Sequence, residues 1–91
     1  MGNIVFNDAE NRYEKEVGGY AVYANTRSID GVLYIDYVFT PPELRGKGAA
    51  GDFMRDLMGI VRDENLKAKP ICGYAASWLR KHADEYAYML V

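Results

Sequence analysis

The sequence predicts an α+β (α/β-like) chain: an antiparallel β-meander leading into a β-α-β unit with a C-terminal helix. Three observations predict it. The first half consists of short β-rich runs separated by polar or glycine turns. The middle carries apolar residues at helical spacing. A further strand candidate follows that helix, so the two strands it joins are expected to be parallel, with a right-handed crossover.

Asn3 to Asn7 is the first strand candidate, and Asp8-Ala9-Glu10-Asn11 is a turn. Arg12 to Val17 returns as a charged, edge-like strand and Gly18-Gly19 breaks it. Tyr20 to Thr26 alternates, with Tyr20, Val22 and Ala24 on one face and Ala21, Tyr23 and Asn25 on the other. Ser28 to Gly31 reads as a polar turn. Val32 to Phe39 is the most apolar strand, read as central and buried on both faces. Thr40-Pro41-Pro42 stops it, because proline cannot continue a ladder.

The next helix presents Ala50, Phe53, Met54, Leu57, Met58, Ile60 and Val61 on one face and turns Arg55, Asp56, Arg62 and Asp63 outward. Asn65 is its expected stop. Leu66 to Cys72 is the second strand of the β-α-β unit, and Tyr74 to His82 forms another helix. Tyr74, Trp78 and His82 share one stripe of that helix, read as core packing under the sheet. Tyr86, Met89 and Leu90 in the tail are expected to pack against the core.

The turn Arg45-Gly46-Lys47-Gly48-Ala49-Ala50 is the most informative stretch. A strand that turns through glycines into a helix leaves backbone N–H groups unpaired at the positive end of the helix dipole. Such a turn holds a phosphate or pyrophosphate, with Arg45 and Lys47 adding charge and the glycines allowing close approach. A basic turn before an ordinary helix is the plainer reading. In β-α-β units ligands sit beyond the carboxyl ends of the strands. That rule gathers Phe39 and Thr40, the glycine turn, and Cys72 with Gly73 around one crevice.

At 91 residues the chain is long enough for one domain, 1–91, and its 49% apolar content is that of a folded protein. A net charge of −2 argues against nucleic acid as a partner. The basic residues fall in three groups, Arg45 with Lys47, Lys67 with Lys69, and Arg80 with Lys81 and His82, which make an anion site only if they converge. A single cysteine, Cys72, excludes an internal disulfide, and one His with one Cys make no metal site. The start, Met1-Gly2-Asn3-Ile4, has no signal-peptide pattern, and no apolar run is long enough to span a membrane. A cytoplasmic location with no membrane partner is the resulting expectation.

Arg45-Gly46-Lys47-Gly48-Ala49-Ala50 resembles the Arg/Gln-x-x-Gly-x-Gly/Ala motif of the GNAT superfamily of acetyl-coenzyme A-dependent N-acetyltransferases. Pro41-Pro42-Glu43-Leu44-Arg45-Gly46-Lys47-Gly48 is similar to the loop of its small members, and so are Lys69-Pro70-Ile71-Cys72-Gly73-Tyr74 and Trp78-Leu79-Arg80-Lys81-His82. The resemblance spans about Tyr34 to Tyr86. It departs at Tyr37-Val38-Phe39-Thr40, where the small family carries His-Thr-Glu-Val, and at Gly73, where the family has proline.

The resemblance implies a GNAT-like fold with acetyl-CoA or coenzyme A as cosubstrate. Its pyrophosphate would lie on Arg45, Gly46, Lys47, Gly48, Ala49 and Ala50, and its pantetheine along Tyr37, Val38, Phe39 and Thr40. The acceptor would be an unidentified amine, peptide or protein. In direct transfer a base takes the amine proton, with Asp36, Tyr37 and Glu43 as low-ranked candidates. In a covalent route Cys72 takes the acetyl group first, its thiol activated by Lys69, His82 or a helix N-terminus. The plainer role of Cys72 is a small buried hydrophobe. His82 reads first as a helix-end cation. A coenzyme A-binding module without catalysis, and an interaction domain that binds no nucleotide, are the rival functions.

Overall fold

The computed structural model describes residues 4–91. Asn3, the first residue of the expected first strand, lies outside them. Among the described residues five strands form one sheet in sequential order: β1 (Ile4–Asn7), β2 (Arg12–Val17), β3 (Tyr20–Ile29), β4 (Val32–Phe39) and β5 (Lys67–Pro70). The first four are antiparallel and β4 pairs β5 in parallel. The helices are α1 (Ala49–Asp63), α2 (Gly73–Lys81) and the short α3 (Ala83–Tyr86). This is the expected α+β architecture, an antiparallel meander leading into a parallel β-α-β unit.

The β3–β4 turn is tighter than the sequence reading. Ser28 and Ile29 stay in β3, opposite Leu33 and Val32, and only Asp30-Gly31 turns. Both turn residues have positive φ, +51° and +79°. Asp-Gly adopts that left-handed pair readily, and its twist matches the strands it joins.

The face expected of Tyr20, Val22 and Ala24 is the inner one, with Val22 and Ala24 fully buried. Tyr20 stays exposed because it stands at the hairpin end. β4 is not buried on both faces as its composition suggests. Leu33, Ile35 and Val38 are buried, whereas Tyr37 is exposed and Asp36 half-buried. A bulge explains the spacing: Asn25 pairs Tyr37 but Thr26 pairs Ile35, so Asp36 is an extra residue and the buried side resumes at Val38.

Helix α1 buries Ala49, Phe53, Met54, Leu57, Met58 and Val61 against this inner face, with Ala50 and Ile60 half-buried. Asn65 ends the helix at φ +57°. The Leu66 N–H donates to Val61 O (2.9 Å) and the Asn65 N–H to Arg62 O (3.1 Å). These bonds satisfy the last carbonyls in a Schellman arrangement. Asp56, expected to face solvent, instead accepts from Lys15 Nζ (2.7 Å) and ties α1 to β2.

β5 is shorter than the expected Leu66 to Cys72, because Pro70 has no N–H to continue the ladder and Cys72 already caps α2. Ala75, Trp78 and Leu79 of α2, with Tyr86 and Met89 of the tail, join the same core. Leu90 is half-buried beside that core and bridges Ala68 in parallel. No helix among the described residues is long and apolar enough to cross a membrane.

Candidate active site

The parallel pairing of β4 with β5 runs from Val32↔Lys67 to Ile35↔Pro70 and then stops. The next two donors of the chain, the N–H groups of Ile71 and Cys72, both point back to Ile35 O, at 2.9 and 3.1 Å. The chain then turns into α2. Asp36 to Phe39 thus continue without a partner on the β5 side, and a cleft of about 420 Å³ opens there.

The second wall of the cleft is the glycine turn. Gly48 sits at φ +79° as the N-cap of α1, with no side-chain cap. The first donor to turn inward is Asp52 N–H, to Gly48 O at 3.0 Å. The N–H groups of Ala49, Ala50 and Gly51 precede it and have no intrahelical acceptor. Together with the dipole of a 15-residue helix they make a cationic corner. Gly46 and Gly48 face open space where a Cβ would stand, so a ligand can reach the backbone. Arg45 anchors the turn: its Nε donates to Thr40 O at 3.0 Å, across the mouth of the cleft.

Nine of the ten expected binding positions line this cleft: Tyr37, Val38, Phe39, Thr40, Arg45, Gly46, Gly48, Ala49 and Ala50. Lys47 is exposed on the same turn and stands outside the wall. Leu44, Gly51 and Tyr74 complete the lining and were missed by the sequence reading. The orphan-amide rule covers the third helical residue as well as the first two, so Gly51 was within reach of it.

Tyr74 corrects the expected core stripe. It is 41% exposed and faces the cleft, because it lies in the first turn of α2, right after the chain leaves the sheet. Partial burial, with the neighbouring Cys72 second, pushes its hydroxyl up from the ordinary value, so it is protonated at neutral pH. Trp78 is buried as expected, and half-buried His82 stacks on it with ring centres 4.1 Å apart. Its Nδ1 lies 2.8 Å from Trp78 O.

Cys72 is half-buried at the fork, with its N–H on Ile35 O and its carbonyl accepting from Ala76 N–H at 2.9 Å. Asp36 is not a free base. Its two oxygens accept from Arg27 Nη2 and Nε at 2.7 and 2.6 Å, and this bonding holds its carboxyl below the ordinary range. Glu43 is exposed in the 3-10 turn Pro42–Leu44. The basic groups do not all converge: Lys67 starts β5 at the far end of the strand and donates to Tyr88 O at 2.9 Å.

Residues 9–89 match the family model of GCN5-related N-acetyl-transferase. The chain belongs to that family. The solution structure of a GCN5-like protein from Staphylococcus aureus is similar at a TM-score of 0.72 and 24% identity, covering 100% of this chain and 91% of that one. At that identity the likeness speaks for the fold. No curated protein matches the chain.

Proposed function

We propose that the chain is an N-acetyltransferase that takes acetyl-CoA into the fork between β4 and β5 and passes the acetyl group to an amine. The observation that carries this reading is the coincidence of two unpaired sets of backbone groups on one cleft. The orphan N–H groups of Ala49, Ala50 and Gly51 suit a pyrophosphate. The open edge of β4 from Asp36 to Phe39 suits the amides of a pantetheine arm, which pair as a short strand would. Arg45 adds charge at the mouth.

Acetyl-CoA, when bound, supplies a thioester at the inner end of the cleft. The acceptor nitrogen bonds to its carbonyl carbon, the C–S bond breaks, and the departing thiolate needs a proton. Tyr74 brings a protonated hydroxyl to the cleft wall from the first turn of α2, and it is the donor we assign to that thiolate. The acceptor amine must arrive neutral, since Asp36 is committed to Arg27; the proton its nitrogen sheds as the amide forms passes to solvent, which in turn restores the Tyr74 hydroxyl. A route through an S-acetyl form of Cys72 draws support from its place at the fork beside Tyr74. The same loss of Asp36 as a base favours, as the second reading, a coenzyme A-binding module without turnover. The outer face of the sheet at the fork is exposed, at Tyr37 and Ile71, which suits a peptide or protein amine as acceptor.

A thermal-shift titration with coenzyme A and acetyl-CoA tests binding. The midpoint rises as ligand passes its Kd. No rise at about millimolar ligand, a concentration far above a useful Kd, rejects both readings. Thiol release over a panel of amines then separates transferase from binding module. An intact-mass gain of one acetyl group that disappears in Cys72→Ala marks the covalent route.

A further inference from the structure

We propose that Arg27 is a positioning residue for the cofactor cleft: from the outer face of the sheet it braces the bulge at Asp36 and so holds β4 away from β5. This rests on the reading of the cleft as the acetyl-CoA site.

Arg27 stands opposite Tyr34 in the β3–β4 register, and its guanidinium lies 4.7 Å from the centre of the Tyr34 ring. The same guanidinium makes the two-pronged bond to Asp36. Tyr34 and Asp36 flank Ile35, whose carbonyl accepts the N–H groups of Ile71 and Cys72 just past the end of β5. One side chain thus grips both neighbours of the residue at which the two strands part.

The grip matters because the bulge has a competitor. A strand without the extra residue would pair Asp36 with Asn25 and carry Tyr37, Val38 and Phe39 to opposite faces. Those residues line the cleft. A planar guanidinium in bidentate contact fixes direction as well as distance, which an ammonium does not. The pair joins an exposed Arg27 to a half-buried Asp36, so it adds little to global stability. Its effect is on the population of the binding-competent strand, and apparent Kd rises in inverse proportion to that population.

The test compares wild type with Arg27→Ala, Asp36→Ala, Arg27→Lys and a control, Arg62→Ala, which breaks the exposed Arg62–Asp63 pair. Coenzyme A affinity by calorimetry, the unfolding midpoint, and amide exchange at Tyr37 to Phe39 are measured for each. The expected result is a Kd raised about fivefold or more in both alanine variants, as a fall in competent population to roughly a fifth requires. The midpoint moves by no more than about 3 °C. Exchange at Tyr37 to Phe39 accelerates, Arg27→Lys is intermediate, and Arg62→Ala matches wild type. A Kd within about twofold of wild type, or a loss matched by global unfolding, overturns the proposal. If wild type itself binds no coenzyme A, the cofactor reading fails, and exchange in the free protein still decides: unchanged exchange at Tyr37 to Phe39 removes the brace.

Discussion

The two neighbours of β4 meet it differently. On the β3 side, paired residues run its whole length, from Val32 to Phe39, interrupted only by the bulge. On the β5 side the pairing covers Val32 to Ile35 and then ends. The paired half sits over the core, with Leu33 and Ile35 almost fully buried. The unpaired half forms a wall of the cleft. The same strand therefore supplies cohesion where its backbone is satisfied and a binding edge where it is not. The sheet withholds hydrogen bonds where a ligand can supply them.

The largest effect that tests this division is expected in the paired half. Leu33→Ala empties a buried site beside Ala68 and should cost about 2–5 kcal/mol of stability by urea unfolding. Coenzyme A affinity of the folded fraction should stay within about twofold. A large loss of affinity there would erase the distinction between the halves. Gly46→Glu is the opposite probe. A side chain at φ +79° costs about 1–2 kcal/mol, and a carboxylate in the anion corner should weaken coenzyme A about a hundredfold by calorimetry.

Tyr74→Phe should leave the coenzyme A Kd and KM unchanged and lower kcat about a hundredfold, the low end for a lost proton donor. An unchanged kcat would assign the proton to solvent or to Cys72.

The smallest effect concerns acid. Arg12 and then Asn7 hold Glu14 below its ordinary value of 4.5, and Arg27 holds Asp36 below 3.8. A carboxyl depressed in the folded state stabilises fully above its unfolded value, and the benefit is lost as pH falls through the folded one. The unfolding midpoint should therefore be flat near pH 6 and fall modestly below about pH 4. Asp36→Asn should flatten part of that fall.

Residues whose chemistry forces a local outcome were legible in the sequence. Gly18-Gly19, Pro41-Pro42 and Asn65 stand where the chain turns or stops. Phe53, Met54, Leu57, Met58 and Val61 are buried as their spacing requires. The topological rule brought Phe39, Thr40 and the glycine turn to one cleft, but Cys72 and Gly73, which it gathered there too, stand at the fork outside the lining. Features set by a partner strand were not legible. Nothing in Val32 to Phe39 marks Asp36 as an extra residue, because the bulge is a property of the β3–β4 register. The fork depends on where Pro70 falls against Ile35, which no composition records. Tyr74 was assigned to the core from its spacing with Trp78, but the first turn of a helix leaving a sheet faces the gap it creates. The resemblance to the GNAT superfamily was readable because its loop is local in sequence.

Trp78 is the only tryptophan of the chain. Its Nε1 would lie 3.3 Å from a Cβ placed on Gly51, in the turn that presents the orphan amides. The protein therefore carries an optical probe at its own anion corner. Emission from a single, buried indole should change when a phosphate settles on those amides, giving binding without any label. The same proximity makes Gly51 a tuning point. A methyl group there presses on the indole, so Gly51→Ala should shift the emission and the ligand affinity together.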